Sequence, residues 1–200
     1  MKKGCIIWIV VGILLGLVVL GIVSWGPSIS NQMVSLQDGV TSQWGNVETQ
    51  YQRGADLIPN FVNTVKGAAA FEQETLTQVI EARAKATQVT VDPSKMTAEN
   101  LQEFQAAQSD LSSALSRLMV VVEKYPELKA TQNFRDLQVE LEGTENRIST
   151  ERRKHNEAAQ AMNTYIRRFP QNLLAGMFGF TPRPYFESME GAEKAPEVTF

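Results

Sequence analysis

The sequence predicts an all-α protein: a single N-terminal transmembrane helix, an antiparallel bundle of long helices and an extended C-terminal tail. Three observations predict it. An uncharged apolar run fills residues 5–25, apolar residues recur at steps of three and four over residues 33–169, and Gly, Pro and aromatic residues are frequent after Pro170. We therefore divide the chain into a basic stub (1–4), a transmembrane anchor (5–25), a helical bundle (28–170) and a tail (171–200).

The predicted anchor has the length of a bilayer core. Its 21 residues carry no charged side chain, and a helix of that length spans about 31 Å. A cleaved signal peptide is the alternative, but its apolar region usually has about 7–15 residues before a small-residue cleavage site. Trp8 and Trp25 lie near the two ends, where tryptophan prefers the headgroup region. Gly12 and Gly16 either allow another helix to approach closely or are a chance pair of small residues.

The charges flanking the anchor predict its orientation. Lys2 and Lys3 precede it, and no basic residue follows until Arg53. Because cytoplasmic flanks carry the excess of Lys and Arg, we expect a single-pass protein of the bacterial cell (inner) membrane with its C-terminal domain outside the cytoplasm. The lipid bilayer is its first expected partner. Cys5 is the only cysteine, which excludes an intrachain disulfide and leaves either an acylated or an idle thiol.

The helical period predicts four runs after the anchor. The first run contains Trp44, and Pro59 should break or bend it near Ile58, because proline lacks the backbone N–H of a helix interior. We predict that Asp56, Pro59 and Asn60 form a structural bend in which the Asp and Asn side chains bind stray backbone groups. A second run continues to about Thr87. The third begins at an N-cap, Thr97, and ends at Pro126, and the fourth extends from about Asn133 to Pro170.

Polar residues interrupt the apolar stripe of the fourth helix. The candidate positions are Glu145, Arg147, Arg152 and His155. These side chains either lie at the edge of the stripe, with their charged ends in water, or form a polar layer inside the bundle. Such a layer would fix the helix register or bind a ligand.

The tail combines aromatic residues with Gly and Pro, and we expect no helix beyond Leu174. Its candidate interaction residues are Phe178, Phe180, Arg183, Tyr185 and Phe186. We predict that this segment docks on a helical surface of its own chain or of a neighbour, because exposed aromatic residues would form a sizeable apolar patch. A solvated, disordered acidic tail is the alternative.

Residues 51–67, YQRGADLIPNFVNTVKG, resemble the LemA family of bacterial membrane proteins. The similarity continues through Glu81-Ala82-Arg83, residues 145–148 (ENRI) and residues 178–186 (FGFTPRPYF). The resemblance implies a short N-terminal stub, one membrane span and a helical bundle, and it brings no established enzymatic activity. Two positions depart from the family pattern: Gly54 stands where relatives usually have a basic residue, and His155 where they usually have tyrosine.

No residue pattern points to catalysis or to a cofactor. Metal-ligand spacings, nucleophile motifs and phosphate-binding glycine loops are absent from the sequence. The net charge of -3 gives no support for a nucleic-acid partner. We expect a non-enzymatic, membrane-anchored scaffold that self-associates as a homo-oligomer. The alternative is a monomeric adaptor that binds another envelope protein, or an extracytoplasmic ligand, at the bend of residues 56–60.

Overall fold

The computed structural model describes residues 2–67 and 73–187, and before residue 24 it describes the side chains of residues 4, 8, 10–17, 20 and 21. These ranges contain helices and no strand, so the predicted all-α fold is confirmed. The helices are α1 (Lys2–Lys66), α2 (Gln73–Gln88), α3 (Ala98–Val122), α4 (Pro126–Lys129), α5 (Gln132–Arg167) and α6 (Gln171–Phe178), and a 3-10 turn spans Pro93–Lys95.

In the described part of the chain, no helix combines the length and the apolar character needed to cross a bilayer. Several side chains of the predicted anchor, including that of Cys5, lie outside the described residues. The transmembrane anchor of residues 5–25 therefore stays a prediction.

α1 corrects the predicted helix boundaries. It is 65 residues long and continues through both Pro27 and Pro59, so the expected start after Pro27 and the expected break near Ile58 are both wrong. A proline inside a helix removes one backbone hydrogen bond, and the helix persists where packing and other donors compensate. A bend without a break at Asp56, Pro59 and Asn60 stays a prediction.

The long helices α1 and α5 form an antiparallel pair, which is the main packing interaction of the fold. From one end to the other, the pair is joined by the Met33 and Met162 cluster, the Trp44 and His155 rings at 5.9 Å, and the Phe61 and Phe134 rings at 5.1 Å. Residue numbers rise along α1 as they fall along α5. Each contact on one helix therefore has a partner at a predictable height on the other.

α2 and α3 form the second pair. The short connection of residues 89–97 requires them to run antiparallel, and Gln108 of α3 donates to the Ala86 carbonyl of α2 at 3.1 Å. The predicted N-cap is confirmed: the Thr97 hydroxyl accepts from the Asn100 N–H at 3.3 Å, and the Asn100 side chain accepts from the Thr97 N–H at 2.9 Å. This capping box satisfies donors that the first helical turn leaves free.

Three apolar clusters fill the interior along the bundle. The Phe134 cluster joins α1, α2, α3, α4 and α5 at one end. The Trp44 cluster lies in the middle and includes Leu101, Phe104 and Phe186. The Met33 cluster lies at the other end, where Ile29 packs with Ile166 and Ala175.

A short helix after Pro170 corrects the second boundary. α6 continues to Phe178, beyond Leu174, and Gly179 ends it with a left-handed backbone conformation of φ 76°. Glycine adopts this conformation without steric cost and commonly follows the last helical residue. Residues 180–187 are not helical, as the tail prediction requires.

Arg83 explains how α1 passes through Pro59. Proline cannot donate to the carbonyl four residues earlier, which belongs to Ala55. The Arg83 Nε of α2 donates to that carbonyl oxygen at 2.8 Å, and its Nη2 lies 3.9 Å from the Asp56 carboxylate. A side chain from the next helix thus replaces the missing hydrogen bond.

Replacing Arg83 by Met should destabilise the fold through this carbonyl. We expect the free energy of unfolding to fall by about 1–3 kcal/mol, because a largely buried acceptor loses its donor. In a Pro59→Ala background the restored N–H of residue 59 can donate to Ala55, so Arg83→Met should cost clearly less. Thermal or urea unfolding of the four proteins in this double-mutant cycle measures the difference.

Arg153→Met is the matched control for this cycle. Its ion pair with Glu157 is exposed, at 68% and 60% of the two side chains, and such pairs contribute about 0–1 kcal/mol. If Arg83→Met cost the same with proline and with alanine at position 59, the Ala55 carbonyl would not be the reason for the loss.

Candidate functional site

The C-terminal segment of residues 181–187, here called the strap, binds to the side of α5 through two asparagines. Asn163 Nδ2 donates to the Arg183 carbonyl at 2.8 Å, and its Oδ1 accepts from the Arg183 N–H at 2.7 Å. Asn156 makes the same pair of bonds to Phe186, at 2.9 and 2.8 Å. Each asparagine therefore holds one strap residue by both of its backbone groups.

The geometry of the two elements explains this match. Asn156 and Asn163 are seven residues apart, which is about 10.5 Å along a helix. Arg183 and Phe186 are three residues apart, which is about 9–10 Å in extended or polyproline backbone. Pro182 and Pro184 favour that extended backbone. The strap therefore presents its backbone groups at nearly the spacing of the asparagines.

Two arginines add charged donors to the strap. The side chain of Arg183 is buried, and its Nη1 donates to the Pro93 and Ser94 carbonyls at 3.2 and 3.4 Å. Arg152 of α5 donates to the Glu187 carbonyl at 2.8 Å. Gln105 of α3 donates to the same carbonyl at 3.2 Å. The strap therefore connects α5 with α3 and with the turn before it.

Phe186 inserts into an aromatic box in the Trp44 cluster. Its ring stacks on Trp44 with centroids 5.8 Å apart and an interplanar angle of 11°, and it meets the His155 ring edge to face at 5.2 Å. The Arg152 guanidinium lies 4.9 Å from the ring centroid, within cation–π range. Burying a side chain of this size contributes about 1.5–3 kcal/mol. Phe186 is thus the main apolar anchor of the strap.

His155 lies inside this box and not at the edge of the stripe. It has no exposed surface, and neither ring nitrogen has a hydrogen-bond partner among the described residues. Burial lowers the pKa of His155 below its ordinary value of 6.5, because the charged form loses its hydration. The neutral ring therefore takes the place of an aromatic residue between Trp44 and Phe186.

The other predicted polar positions do not form an ion-paired layer in the described structure. Arg147 donates to Thr144 Oγ1 at 3.0 Å, and Arg152 binds the strap. Burial raises the pKa of the Glu145 carboxyl, and the nearby Arg152 charge opposes this rise. Burial also raises the pKa of Tyr51, which lies near both.

A small cavity separates the Trp44 cluster from the Phe134 cluster. Its volume is about 90 Å³, which leaves room for a few water molecules. Tyr51, Glu145 and Arg152 line its polar side, and Leu111 and Ile148 line its apolar side. Pockets for small organic molecules are usually about 300–1,000 Å³. The cavity is therefore suited to water or a very small polar ligand.

The remaining tail residues contribute unequally to docking. Phe180 packs against the Met33 cluster. Phe178 and Tyr185 keep 52% and 40% of their surface exposed. The tail residues that follow Glu187 lie outside the described structure. The described docking thus depends on Phe186 and Arg183 more than on Phe178 and Tyr185.

The other predicted positions are dispersed and exposed. Asp56 and Asn60 have exposed side chains. Asp56 accepts from Gln52 at 3.0 Å, and the freed Ala55 carbonyl is bound by Arg83 and not by these two residues. Trp8 and Trp25 are exposed at 78% and 57%.

Sequence reasoning missed three residues: Arg83, Asn156 and Asn163. Arg83 lies in a segment that carries the family resemblance, but a single arginine on a helix gives no sign of its partner. The two asparagines have a seven-residue spacing next to the apolar stripe. That spacing is a usable signal only once an extended segment with Pro on alternate residues is recognised as its partner.

The fold and the strap define a class: a long-helix bundle closed by its own C-terminal segment. The LemA family model matches residues 43–200, and the chain belongs to the LemA family. The chain is 26% identical to Magnetosome protein MamQ 2 of Paramagnetospirillum magneticum, over 84% of this chain and 68% of that protein. It is 24% identical, over the same shares, to Magnetosome protein MamQ of Magnetospirillum gryphiswaldense. Protein LemA of Metamycoplasma hominis is 23% identical over 72% of this chain and 63% of that protein.

Replacing Asn163 by Ala should release the strap. The Arg183 N–H and carbonyl then lose their partners, so we expect faster hydrogen exchange over residues 181–187 and a lower melting temperature. Asn163→Asp keeps the acceptor for the Arg183 N–H but places a carboxylate oxygen against the Arg183 carbonyl in a buried site, and should release the strap as well. Asn146→Ala is the matched control, because Asn146 lies on the exposed side of α5. Unchanged exchange in Asn163→Ala would show that these bonds do not hold the strap.

Acid should loosen the aromatic box through His155. Burial depresses the pKa of His155 in the folded protein. As the pH falls through 6.5, the His155 ring is therefore protonated first in the unfolded chain. Stability is therefore lost between 6.5 and the lower folded-state value. The raised pKa of Glu145 has the opposite effect on stability, because the folded protein binds that proton first as the pH falls. We expect the melting temperature to fall more between pH 7.5 and pH 5 in the wild type than in His155→Phe. Equal falls would exclude His155 as the titrating group.

Proposed function

We propose that this chain is a non-enzymatic, membrane-anchored helical scaffold of the bacterial envelope, and that it self-associates. One observation carries the proposal: α1 is continuous from Lys2 to Lys66. The apolar run of residues 5–25 and the bundle-facing residues Met33 to Val65 therefore belong to one helix with no intervening linker. A helix of this kind would hold the bundle at a fixed height above a membrane.

Exposed apolar side chains support the membrane anchor. Leu14, Leu15, Leu17 and Leu20 are each about 60% exposed or more. Side chains of this kind are favourable in hydrocarbon and unfavourable in water. With Lys2 and Lys3 before the run, the bundle belongs on the extracytoplasmic side. Two relatives are named magnetosome proteins, and a third is named Protein LemA.

The glycines of the run support self-association. A methyl group added at Gly12 or Gly16 would meet no described atom within 4 Å. Both positions are therefore open to a neighbouring helix, as in small-residue helix interfaces. We propose a homo-oligomer that forms through this face.

The site geometry supports a non-enzymatic role. The central cavity has a volume of about 90 Å³, which is below the usual range of small-molecule pockets. Within the described ranges, no three His, Cys, Asp or Glu side chains are grouped to hold a metal ion. The buried polar side chains at the strap, Asn163 and Arg183, bind backbone groups and in this way stabilise the fold.

A monomeric envelope adaptor is the second candidate. The exposed Asp56 and Asn60 side chains lie on one surface of α1 within about one helical turn. Such a surface would suit a protein partner or an extracytoplasmic ligand. This candidate differs from the scaffold in its oligomeric state.

Membrane fractionation tests the anchor. Leu14→Arg combined with Leu17→Arg should release the protein from alkali-washed membranes, since each arginine costs about 2.5–3.5 kcal/mol at a helix centre. Val139→Arg is the matched control on an exposed bundle position, at 68%. In spheroplasts, added protease should digest the wild-type bundle. Full retention of the double variant would exclude residues 5–25 as the anchor, and full protection of the bundle would reverse the topology.

The mass of the full chain in mild detergent separates the two candidates. A homogeneous oligomer that becomes monomeric in Gly12→Leu with Gly16→Leu supports the scaffold. A wild-type monomer that co-purifies with one other envelope protein supports the adaptor and contradicts self-association.

A further inference from the structure

α6 carries an exposed apolar face that the bundle leaves uncovered. Leu173 and Met177, four residues apart on the same side of the helix, are 60% and 77% exposed. Phe178 is 52% exposed, and Phe169, just before the helix, is 80% exposed. Four large apolar side chains are thus exposed within ten residues, and exposed apolar groups of this kind mark interaction surfaces.

The opposite face of α6 fixes its height on the bundle. Ala175 is 4% exposed and belongs to the Met33 cluster with Ile29 of α1, and Leu174 packs against the same cluster. α5 runs antiparallel to α1 and ends at Arg167 beside these residues. α6 and Phe169 therefore lie at the end of the bundle nearest to residues 5–25.

This height corresponds to the edge of a bilayer. Ile29 follows Trp25 by four residues of continuous helix, which is about 6 Å along the axis. The headgroup region on each side of the hydrocarbon core is about 5–8 Å thick. We infer that α6 and Phe169 lie in this region and form a second membrane contact, with their apolar side chains against lipid. The inference rests on the proposed anchor.

The charges beside the patch favour lipid over a second copy of the chain. Arg167 and Arg168 are exposed immediately before Phe169. Basic residues next to exposed aromatic and aliphatic side chains are typical of helices that lie on anionic lipid surfaces. The like charges of two such copies would instead repel each other across a symmetric interface.

Site-specific fluorescence in vesicles tests the contact. In a Cys5→Ser background, an environment-sensitive probe is attached to Met177→Cys, to Leu17→Cys in the proposed anchor, or to Val139→Cys on the exposed bundle surface. Each full-length protein is reconstituted in phosphatidylcholine and phosphatidylglycerol vesicles that contain nitroxide lipids. The nitroxide lies either near the headgroup or deep in the acyl chain.

The two proposals fail in different ways. The second contact predicts loss of Met177 emission with the shallow quencher, loss of Leu17 emission with the deep quencher, and unchanged Val139 emission. Quenching at Leu17 without quenching at Met177 overturns the second contact and leaves the anchor intact. A blue shift at Met177 without quenching indicates a protein partner and also overturns it. No quenching at either position overturns both proposals.

Discussion

The antiparallel pairing of α1 and α5 is the interaction on which the rest of the structure depends. It sets the heights of the three apolar clusters, and it brings Trp44 beside His155 at 5.9 Å. Because each helix in this pair is much longer than an average helix, a contact at one end constrains the register at the other. The strap and α6 take their positions from this register, since both lie on surfaces that α5 forms with its neighbours.

The fold repeatedly uses side chains to bind backbone groups that lack an α-helical hydrogen bond. Arg83 binds the carbonyl that Pro59 cannot serve, Arg183 binds two carbonyls before α3, and Asn163 binds both backbone groups of a strap residue. Unpaired backbone groups in a low-dielectric interior are costly. These polar residues therefore stabilise unusual backbone paths.

The segments that carry the family resemblance share a physical role, because each makes a contact between parts of the chain that are distant in sequence. The segments 51–67 and 81–83 meet at the Ala55 carbonyl. In the segment 178–186, Phe186 enters the Trp44 cluster. Segments that are distant along the chain thus meet at two contact sites within the same helical bundle. His155 fits this bundle because its neutral ring packs between Trp44 and Phe186 as an aromatic ring does.

By itself the sequence determined the helical class, the N-cap at Thr97, the apolar stripes and the non-helical strap, because these features depend on local periodicity and on the local chemistry of Thr, Gly and Pro. It did not determine that α1 passes through Pro59, nor that His155 is buried. The residue that makes the first possible is 28 positions away, and the burial of the second depends on Trp44 of α1 and Phe186 of the strap. Only the tertiary structure decides such features, since a hydrogen bond or ring contact between distant residues leaves no periodic trace in the chain.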